Sequence, residues 1–574
     1  MVFSLTFKMN ASDTDTDTDM TSPARCGTSA TPVQYWLVLM GGLLALWSLF
    51  GLFVLLCLHK TGGHFIYTTD DSYISMTVAR NLVQNGTWGI QPGEFASLVS
   101  NPAWVLLMAA VFRVAGPAEW VPLAMNGFFA TLLFVLVWAV FRDFHVRPLV
   151  VLLGLFLVLF LTPLVPVAFT GLEHMLQSCI DLAYVFVAGL VLGDDAPQPR
   201  KRKAFAAMML LSPLLTLVRY EGMFLLAAAG CVFLARKQIK AALLTGVLGL
   251  LPVVVSGLIF MSKGWFFLPS TIIQKGNVPN PANSLLSVAM AKWLGMGLLN
   301  LHRGGTHLGV LMGLILLACL FLGRRMLSSR LGVMVFLFLA TALLHLQLAR
   351  LGWFFRYEAY LVCLGLVILV LLAVQLPWQS FLLPRSWPAW ARAATLAVAL
   401  ALVMQPLLDR AVTAHYWTPN ASRHQYEQQY QMARFVRTYY EGDAVAMNDI
   451  GAISFFGGVR CCDLAGLANV TVARMIRAGR FNTASIRDFA RQQSVKIAIV
   501  YDSWYDVYGG LPPNWVKTAE WTISENYYAG SVPTVSFYAT DSAEVPALRR
   551  HLQDFNRQLP KSVVLRLCAA PNIL

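Results

Sequence analysis

Two adjacent carboxylates, Asp70 and Asp71, follow closely on the first long apolar run of the chain. Carboxylates at the edge of a bilayer are costly unless they are hydrated, paired or used in chemistry. One could act as general base on an acceptor hydroxyl while the other orients it, or both could hold a divalent cation. Thr68 and Asp71 also have the spacing of a helix capping box, so the pair could simply occupy the positive end of a helix dipole. The motif leaves these roles open.

A second group of charged residues interrupts the apolar runs farther along the chain. Arg219 and Glu221 lie in a stretch that is apolar on both sides, where charged side chains cannot face lipid without a large penalty. The arginine could bind a phosphate bidentately while Glu221 holds it, or the two could form an internal ion pair. Further candidates for substrate contacts, at the starts of two other apolar runs, are Glu173, His174, Arg356 and Tyr357.

The composition indicates what kind of protein must position these residues. The 574 residues are 57% hydrophobic and 13% charged, which is typical of multi-span membrane proteins. The formal net charge is +14, but the basic residues lie in short clusters between apolar runs, such as 200–203, as topology determinants do. No basic face interleaved with aromatic residues is present, so the sequence argues against a nucleic-acid partner.

The apolar runs and basic clusters predict an all-α membrane bundle. The positive-inside rule places the basic clusters in the cytoplasm and gives about eleven transmembrane helices over residues 35–409. Residues 1–34 are polar and predict a disordered cytoplasmic tail. The catalytic outer loop spans 59–118, and its short apolar helix after Asn101 is expected to be interfacial or re-entrant. The candidate residues then converge on the outer face.

The C-terminal part, 410–574, is less apolar and mixes helical and strand periodicities. An amphipathic helix is predicted over 425–440 and a strand over 495–501, which together favour a small α/β domain outside the membrane. If that domain is exported, one pair of its three cysteines could form a disulfide. These cysteines are Cys461, Cys462 and Cys568.

Several motifs together resemble integral-membrane glycosyltransferases of the C superfamily, most closely the branch with terminal arabinofuranosyltransferases of mycobacterial cell walls. The resemblance to the first outer loop of that branch is carried by Asp70-Asp71-Ser72-Tyr73-Ile74, Ala79-Arg80-Asn81-Leu82 and Ser100-Asn101-Pro102-Ala103-Trp104. Later motifs in the same order are Gly171-Leu172-Glu173, Arg219-Tyr220-Glu221-Gly222, Leu268-Pro269-Ser270-Thr271, Arg356-Tyr357, Asn448-Asp449-Ile450-Gly451-Ala452-Ile453 and Asp463-Leu464-Ala465-Gly466-Leu467.

The resemblance implies inverting transfer of a sugar from a polyprenyl-phosphate donor to a periplasmic cell-envelope glycan, lipid or protein. It implies a multi-pass enzyme of the bacterial cytoplasmic (inner) membrane, with Asp70 or Asp71 as general base and no certain cofactor. The branch suggests arabinofuranose, but Tyr220 stands where proline is usual, which puts the sugar and acceptor in question. The alternative function is a transporter or flippase of a lipid-linked or anionic solute, although no internal repeat is visible.

Overall fold

The computed structural model describes residues 31–275, 295–377, 387–527 and 532–568. Most of the predicted disordered tail, 1–34, lies outside the described residues, and the first helix already begins at Pro32, inside the predicted tail. The helices of the membrane part are α1 (Pro32–Lys60), α2 (Asp71–Asn85), α3 (Pro102–Ala115), α4 (Val121–Asp143), α5 (Pro148–Leu161), α6 (Leu164–Ala168), α7 (His174–Leu192), α8 (Gln198–Val218), α9 (Gly222–Ala235), α10 (Ile239–Ser262), α11 (Ser270–Lys275), α12 (Met296–Arg303), α13 (Thr306–Leu322), α14 (Arg330–Leu348), α15 (Ala359–Ala373), α16 (Ala389–Val403) and α17 (Gln405–Gln425).

Five of the described helices are long and apolar enough to cross a membrane, namely α1, α4, α7, α10 and α14. The number rises to seven if each of two bent helix pairs counts as one span: α12 with α13, and α16 with the helical segment that begins at α17. Shorter apolar helices are α3, α5, α9 and α15. The chain is therefore a multi-pass membrane protein by helix length and composition, and the number of about eleven spans stays a prediction.

Helix α7 lies in the middle of the bundle and packs against α4, α8, α14 and α15. Close packing of helices in an apolar medium favours small residues at the contact. Gly189 of α7 is such a residue, because a Cβ atom there would lie 3.1 Å from the backbone oxygen of Arg330 at the start of α14. The N-terminal ends of α7 and α9 therefore stand close to the α14–α15 connection.

The C-terminal part contains a six-stranded sheet in the order β2-β1-β3-β5-β4-β6. Strands β1, β2 and β3 are parallel, and the remaining pairings are antiparallel. The strands are β1 (Ala444–Met447), β2 (Arg460–Asp463), β3 (Ile497–Val500), β4 (Val516–Thr522), β5 (Thr534–Ala539) and β6 (Val564–Leu567). The helices are α18 (Gln431–Tyr439), α19 (Gly451–Phe456), α20 (Val470–Arg477), α21 (Thr483–Gln492) and α22 (Val545–Phe555).

Side chains alternate across this sheet, so both faces are apolar and both are covered by helices. Val445 and Met447 of β1 share a core with Phe435 of α18, whereas Ala446 between them belongs to the opposite core with Ile486 of α21. The α/β character predicted for this part is therefore confirmed, and the strand predicted over 495–501 is β3. The helix predicted over 425–440 is the end of a longer helical stretch, because α17 passes through a π-helical turn at Tyr426–Tyr430 into α18.

The sequence left a disulfide among the C-terminal cysteines open, and Cys461, Cys462 and Cys568 are free thiols in the structure. Cys461 and Cys462 are neighbours on β2 whose side chains enter the two opposite cores. Cys568 follows β6, which is the other edge of the sheet. The vicinal side chains thus point to opposite faces of the sheet and Cys568 lies at its far edge, so the fold brings no two of these three thiols together.

Candidate active site

A cavity of 290 Å³ opens where α2, the α8–α9 turn and the α14–α15 connection meet. Six of the eight residues that the sequence singles out line it, namely Asp71, Glu173, Arg219, Glu221, Arg356 and Tyr357. Asp70 and His174 do not line it. The rest of the wall is largely apolar and includes Ile74, Leu98, Val99, Phe224 and Leu348.

Asp71 and Arg356 form an ion pair across this cavity. Asp71 is the first residue of α2, and its side chain is 20% exposed, whereas that of Arg356 is 2% exposed. Arg356 Nη1 also donates to Thr69 Oγ1 at 3.4 Å. The Asp71 carboxylate is therefore held by the buried guanidinium of Arg356 and remains accessible from the cavity.

Arg356 comes from an unusual backbone segment. The three residues before it, Trp353, Phe354 and Phe355, have φ of 46°, 64° and 61°, the left-handed region that side chains other than glycine rarely adopt. Arg410 of α17 donates from Nη2 to the Phe355 oxygen at 2.5 Å and pairs through Nε with Glu358 Oε1 at 3.1 Å. Buried tertiary contacts therefore support the left-handed turn that presents Arg356.

The second charged cluster contains Arg219, Glu173 and Glu221. Arg219 ends α8 in extended backbone and donates to both oxygens of Glu221, from Nε at 3.0 Å and from Nη2 at 2.6 Å. Its Nη1 donates to Glu173 Oε1 at 2.6 Å, and Asn101 Nδ2 donates to the other oxygen of that carboxylate. All three nitrogens of the guanidinium thus donate to carboxylates of the protein.

Tyr357 joins the two charged clusters. Its ring lies 5.5 Å from Arg219 Cζ and 5.2 Å from Arg356 Cζ. Arginine planes are attracted to aromatic faces at such distances. The two guanidinium groups are therefore held on a shared aromatic side chain, which fixes their separation.

Arg350 also lines the cavity, and the sequence reasoning did not select it as a site residue. It is exposed, and among the described residues no carboxylate pairs with its guanidinium. Its position six residues before Arg356, in the same predicted outer loop, is the signal that could have found it. Three arginines and three carboxylates then line the cavity, but the carboxylates contact Arg219 and Arg356.

Asp70 lies on the other side of α2 from Asp71. Its Oδ2 accepts from the Gly451 amide at 2.6 Å and its Oδ1 from the Ala452 amide at 2.7 Å, both at the start of α19. Burial and the nearby charge of Asp449 raise the pKa of Asp70 to about 8, against the opposing effect of the two amide donors. Asp70 thus faces the C-terminal domain and Asp71 the cavity.

The capping box expected at Thr68 is wrong. The helix begins after Asp70, and the Thr68 hydroxyl donates to the Phe169 carbonyl oxygen at 3.2 Å. Thr69 likewise donates to the Thr170 carbonyl oxygen at 3.3 Å. These hydroxyls attach the start of α2 to the α6–α7 connection, and the N-cap position of the helix is Asp70, which makes no side-chain capping bond.

His174 is buried beside Tyr357, with ring centroids 6.5 Å apart, and does not reach the cavity. Within the described parts of the chain, no group of three or more histidine, cysteine, aspartate or glutamate residues could hold a metal ion. The oxygens of Asp70 face backbone amides and Asp71 faces Arg356, so the two carboxylates do not converge on one point.

Comparison with solved structures shows the fold. ArnT from Cupriavidus metallidurans bound to undecaprenyl phosphate matches with a TM-score of 0.51 and 12% identity, over 89% of this chain and 99% of that chain. The oligosaccharyltransferase AglB from Archaeoglobus fulgidus, in complex with an inhibitory peptide and a dolichol-phosphate, has a TM-score of 0.44 and 12% identity, over 91% and 75%. The likeness to ArnT supports the fold predicted from the C-superfamily resemblance, and the arabinofuranosyltransferase-like branch stays a prediction.

Sequence comparisons are less informative about this chain than the comparison with solved structures. A model described as a domain of unknown function (DUF8728) matches residues 416–538, which include most of the sheet. A search of curated proteins finds no match.

Proposed function

We propose that this chain is a membrane glycosyltransferase that moves a sugar from a polyprenyl-phosphate donor to a hydroxyl of a cell-envelope acceptor, with inversion, outside the cytoplasmic membrane. The observation that carries the proposal is the cavity in which an accessible carboxylate, Asp71, stands among three arginines. A carboxylate suits a hydroxyl that must lose a proton, and arginines suit a phosphate that must leave.

In the proposed reaction, Asp71 takes the proton of the acceptor hydroxyl as that oxygen attacks the anomeric carbon. The bond between the anomeric carbon and the phosphate oxygen breaks, and the polyprenyl phosphate leaves with the bonding electron pair. Such a step needs alignment of the two substrates and neutralisation of the departing charge more than covalent participation by the protein. Asp71 is 20% exposed, so an acceptor in the cavity can reach it.

Arg350 and Arg356 are proposed to contact the phosphate. Arg219 is the weaker candidate, because its Nε, Nη1 and Nη2 each already donate to Glu173 or Glu221. Arg350 is exposed at the cavity and has no carboxylate partner among the described residues, so its charge is available to an incoming anion. Arg219 is a phosphate-binding candidate from the sequence, and we propose that it instead supports Arg350 and Arg356, which contact the phosphate.

The apolar part of the cavity wall supports a lipid-linked donor. Leu98, Val99 and Phe224 line the same cavity as the arginines, so a phosphate and the first part of a long hydrocarbon chain fit together there. The ArnT structure that shares this fold contains undecaprenyl phosphate. A divalent cation is not required by this scheme, since guanidinium groups supply the positive charge.

Sugar transfer by purified protein in detergent tests the proposal. Radiolabelled polyprenyl-phosphate donors carrying arabinofuranose and other sugars are incubated with cell-envelope acceptors. The wild type is expected to form labelled acceptor, and Asp71→Asn is expected to bind donor without transfer. The control is Asp488→Asn, an exposed carboxylate of α21 that pairs with its neighbour Arg487. Donor movement across liposomes without transfer to any acceptor would contradict the proposal and favour the transporter.

A further inference from the structure

Two residues of the α2 segment form hydrogen bonds with the two ends of the short helix α19 of the C-terminal domain. Asp70 accepts from the amides of Gly451 and Ala452 at the first turn of α19. Arg80 donates to the carbonyl oxygens of Phe455 at 2.6 Å and Ser454 at 2.9 Å, at the last turn. The carboxyl oxygens of Asp70 accept from the amides at one end of α19 and the Arg80 guanidinium donates to the carbonyls at the other end, which are the backbone groups that a helix leaves without internal partners.

The approach of α19 to α2 depends on a glycine. A Cβ atom at Gly451 would lie 2.0 Å from the backbone oxygen of Asp70 and 2.7 Å from its Oδ2. No side chain fits there without moving one helix away from the other. At the other end of α19, the Arg80 guanidinium lies 5.0 Å from the centre of the Phe455 ring. The contact is therefore close along the whole of α19.

We propose that Asp70 and Arg80 are positioning residues, which use the C-terminal domain as a fixed support to hold α2 so that Asp71 points into the cavity. This inference rests on the proposed function, because it assigns the C-terminal domain a part in the transfer reaction. Neither residue lines the cavity, so neither is expected to touch a substrate there.

The geometry of an α-helix explains how this support directs Asp71. Successive residues turn by about 100°, so Arg80, nine positions after Asp71, lies on the opposite face of α2. Asp70 is adjacent to Asp71 in the chain and is fixed by two hydrogen bonds. A rotation or shift of α2 toward the cavity would break the contacts on its back face, so these contacts oppose such movement.

Two kinds of contact also connect this region to the cavity side. Thr69 donates to Thr170 and accepts from Arg356, which itself pairs with Asp71. The start of α2 is thus fixed on one side by α19 and on the other by the bundle. Loss of the α19 support leaves Asp71 attached to Arg356 but free to shift with the helix.

Three variants test the proposal: Arg80→Ala, Arg80→Lys and Gly451→Ala. Because a displacement of about 1 Å can cost on the order of 10²-fold in rate, kcat is expected to fall by about 10 to 100-fold in Arg80→Ala and Gly451→Ala. The donor KM is expected to stay within about twofold, since the arginines of the cavity are unchanged. Arg80→Lys is expected to recover part of kcat, because an ammonium can still donate to one of the two carbonyls.

The matched control is Gly230→Ala in α9, where an added Cβ meets no atom within 4 Å. Hydrogen exchange of segment 451–456 supplies a readout independent of turnover, and exchange is expected to rise in Arg80→Ala and Gly451→Ala but not in the control. Unchanged exchange would show that the contacts of Asp70 and Arg80 do not hold α19 and would overturn the inference.

The kinetic results separate this inference from the proposed function. A wild type that transfers sugar, together with Arg80→Ala and Gly451→Ala variants of full kcat, would overturn the positioning role and leave the proposed function standing. A fall in kcat matched by an equal fall in the number of donor-binding sites would indicate loss of folded protein and would also contradict it. A wild type that transfers no sugar to any acceptor would refute the proposed function and this role together.

Discussion

The two members of the Asp71–Arg356 ion pair come from opposite kinds of backbone. Asp71 begins a regular α-helix that ends conventionally at Gly86, with φ of 64°. Arg356 follows three left-handed residues with large side chains, each of which costs roughly 1–2 kcal/mol relative to ordinary backbone. The position of Asp71 thus needs only local helix geometry, whereas the backbone that positions Arg356 is stabilised by buried tertiary contacts.

The same comparison separates two buried clusters of arginine and glutamate. Arg219 with its two carboxylates lines the cavity, whereas Arg410 with Glu358 is enclosed beneath the left-handed turn. Glu358 Oε2 also accepts from the Gly352 amide at 2.7 Å, so this pair closes the turn at both ends. Access to the cavity, and not residue type, distinguishes a candidate binding cluster from a supporting one.

Removing the support of the turn should have the largest effect on stability. Arg410→Met leaves Glu358 buried without its cationic partner, which typically costs about 3–5 kcal/mol. We expect a marked fall in the thermal unfolding temperature in detergent, with loss of donor binding. Arg491→Met, at an exposed position of α21 away from the cavity, serves as control. An Arg410→Met variant as stable as wild type would contradict the supporting role of this pair.

Replacing Arg350, the cavity arginine that pairs with no carboxylate among the described residues, should weaken donor binding more than it slows the chemical step. Arg350→Ala is expected to raise the donor KM about tenfold, equivalent to about 1.4 kcal/mol, with kcat within about twofold of wild type. The difference should shrink at high ionic strength, since Arg350 is exposed and its field is screened. Steady-state kinetics at two salt concentrations measure this, and an unchanged KM would exclude Arg350 as a phosphate contact.

The α-helical side of the comparison, Asp70 and Asp71, predicts an effect on stability that depends on pH. Burial and Asp449 raise the pKa of Asp70 to about 8, so the folded protein retains a proton that the unfolded chain releases at lower pH. That contribution to stability is present at acidic pH and lost as pH rises through about 8. Asp70→Asn should flatten the dependence of unfolding temperature on pH between about 5 and 8. An Asp70→Asn variant with the wild-type pH dependence would show that Asp70 is not the source of the pH-dependent stability.

The sequence predicted the cavity residues better than their partners. Charged residues within apolar runs are costly, which is why Asp71, Arg219 and Glu221 could be selected without a structure. The partners of Asp70 could not be selected in this way, because the amides of Gly451 and Ala452 come from a distant part of the chain. Backbone amides carry no residue-specific signal.

Other errors have similar physical causes. His174 adjoins Glu173 in sequence, but it turns away into the bundle because consecutive helical residues point about 100° apart. The left-handed run before Arg356 begins at Gly352, with φ of 78°, but the three residues that continue it have large side chains and carry no glycine signal. The pairing of the C-terminal cysteines stayed open in the sequence, because only the sheet order shows that Cys568 lies at the opposite edge from Cys461.

A side-by-side measurement of kcat for Asp71→Asn and Asp70→Asn tests the central claim most directly, with sugar transfer from the polyprenyl-phosphate donor as the readout. The two residues are adjacent and receive the same substitution, so each variant is the other's control. We predict a loss of about 10³-fold in Asp71→Asn, the magnitude typical of a lost general base. Asp70→Asn should retain transfer at roughly a tenth of the wild-type rate, since it loses positioning only. The reverse order, with Asp71→Asn active and Asp70→Asn inactive, would contradict the account.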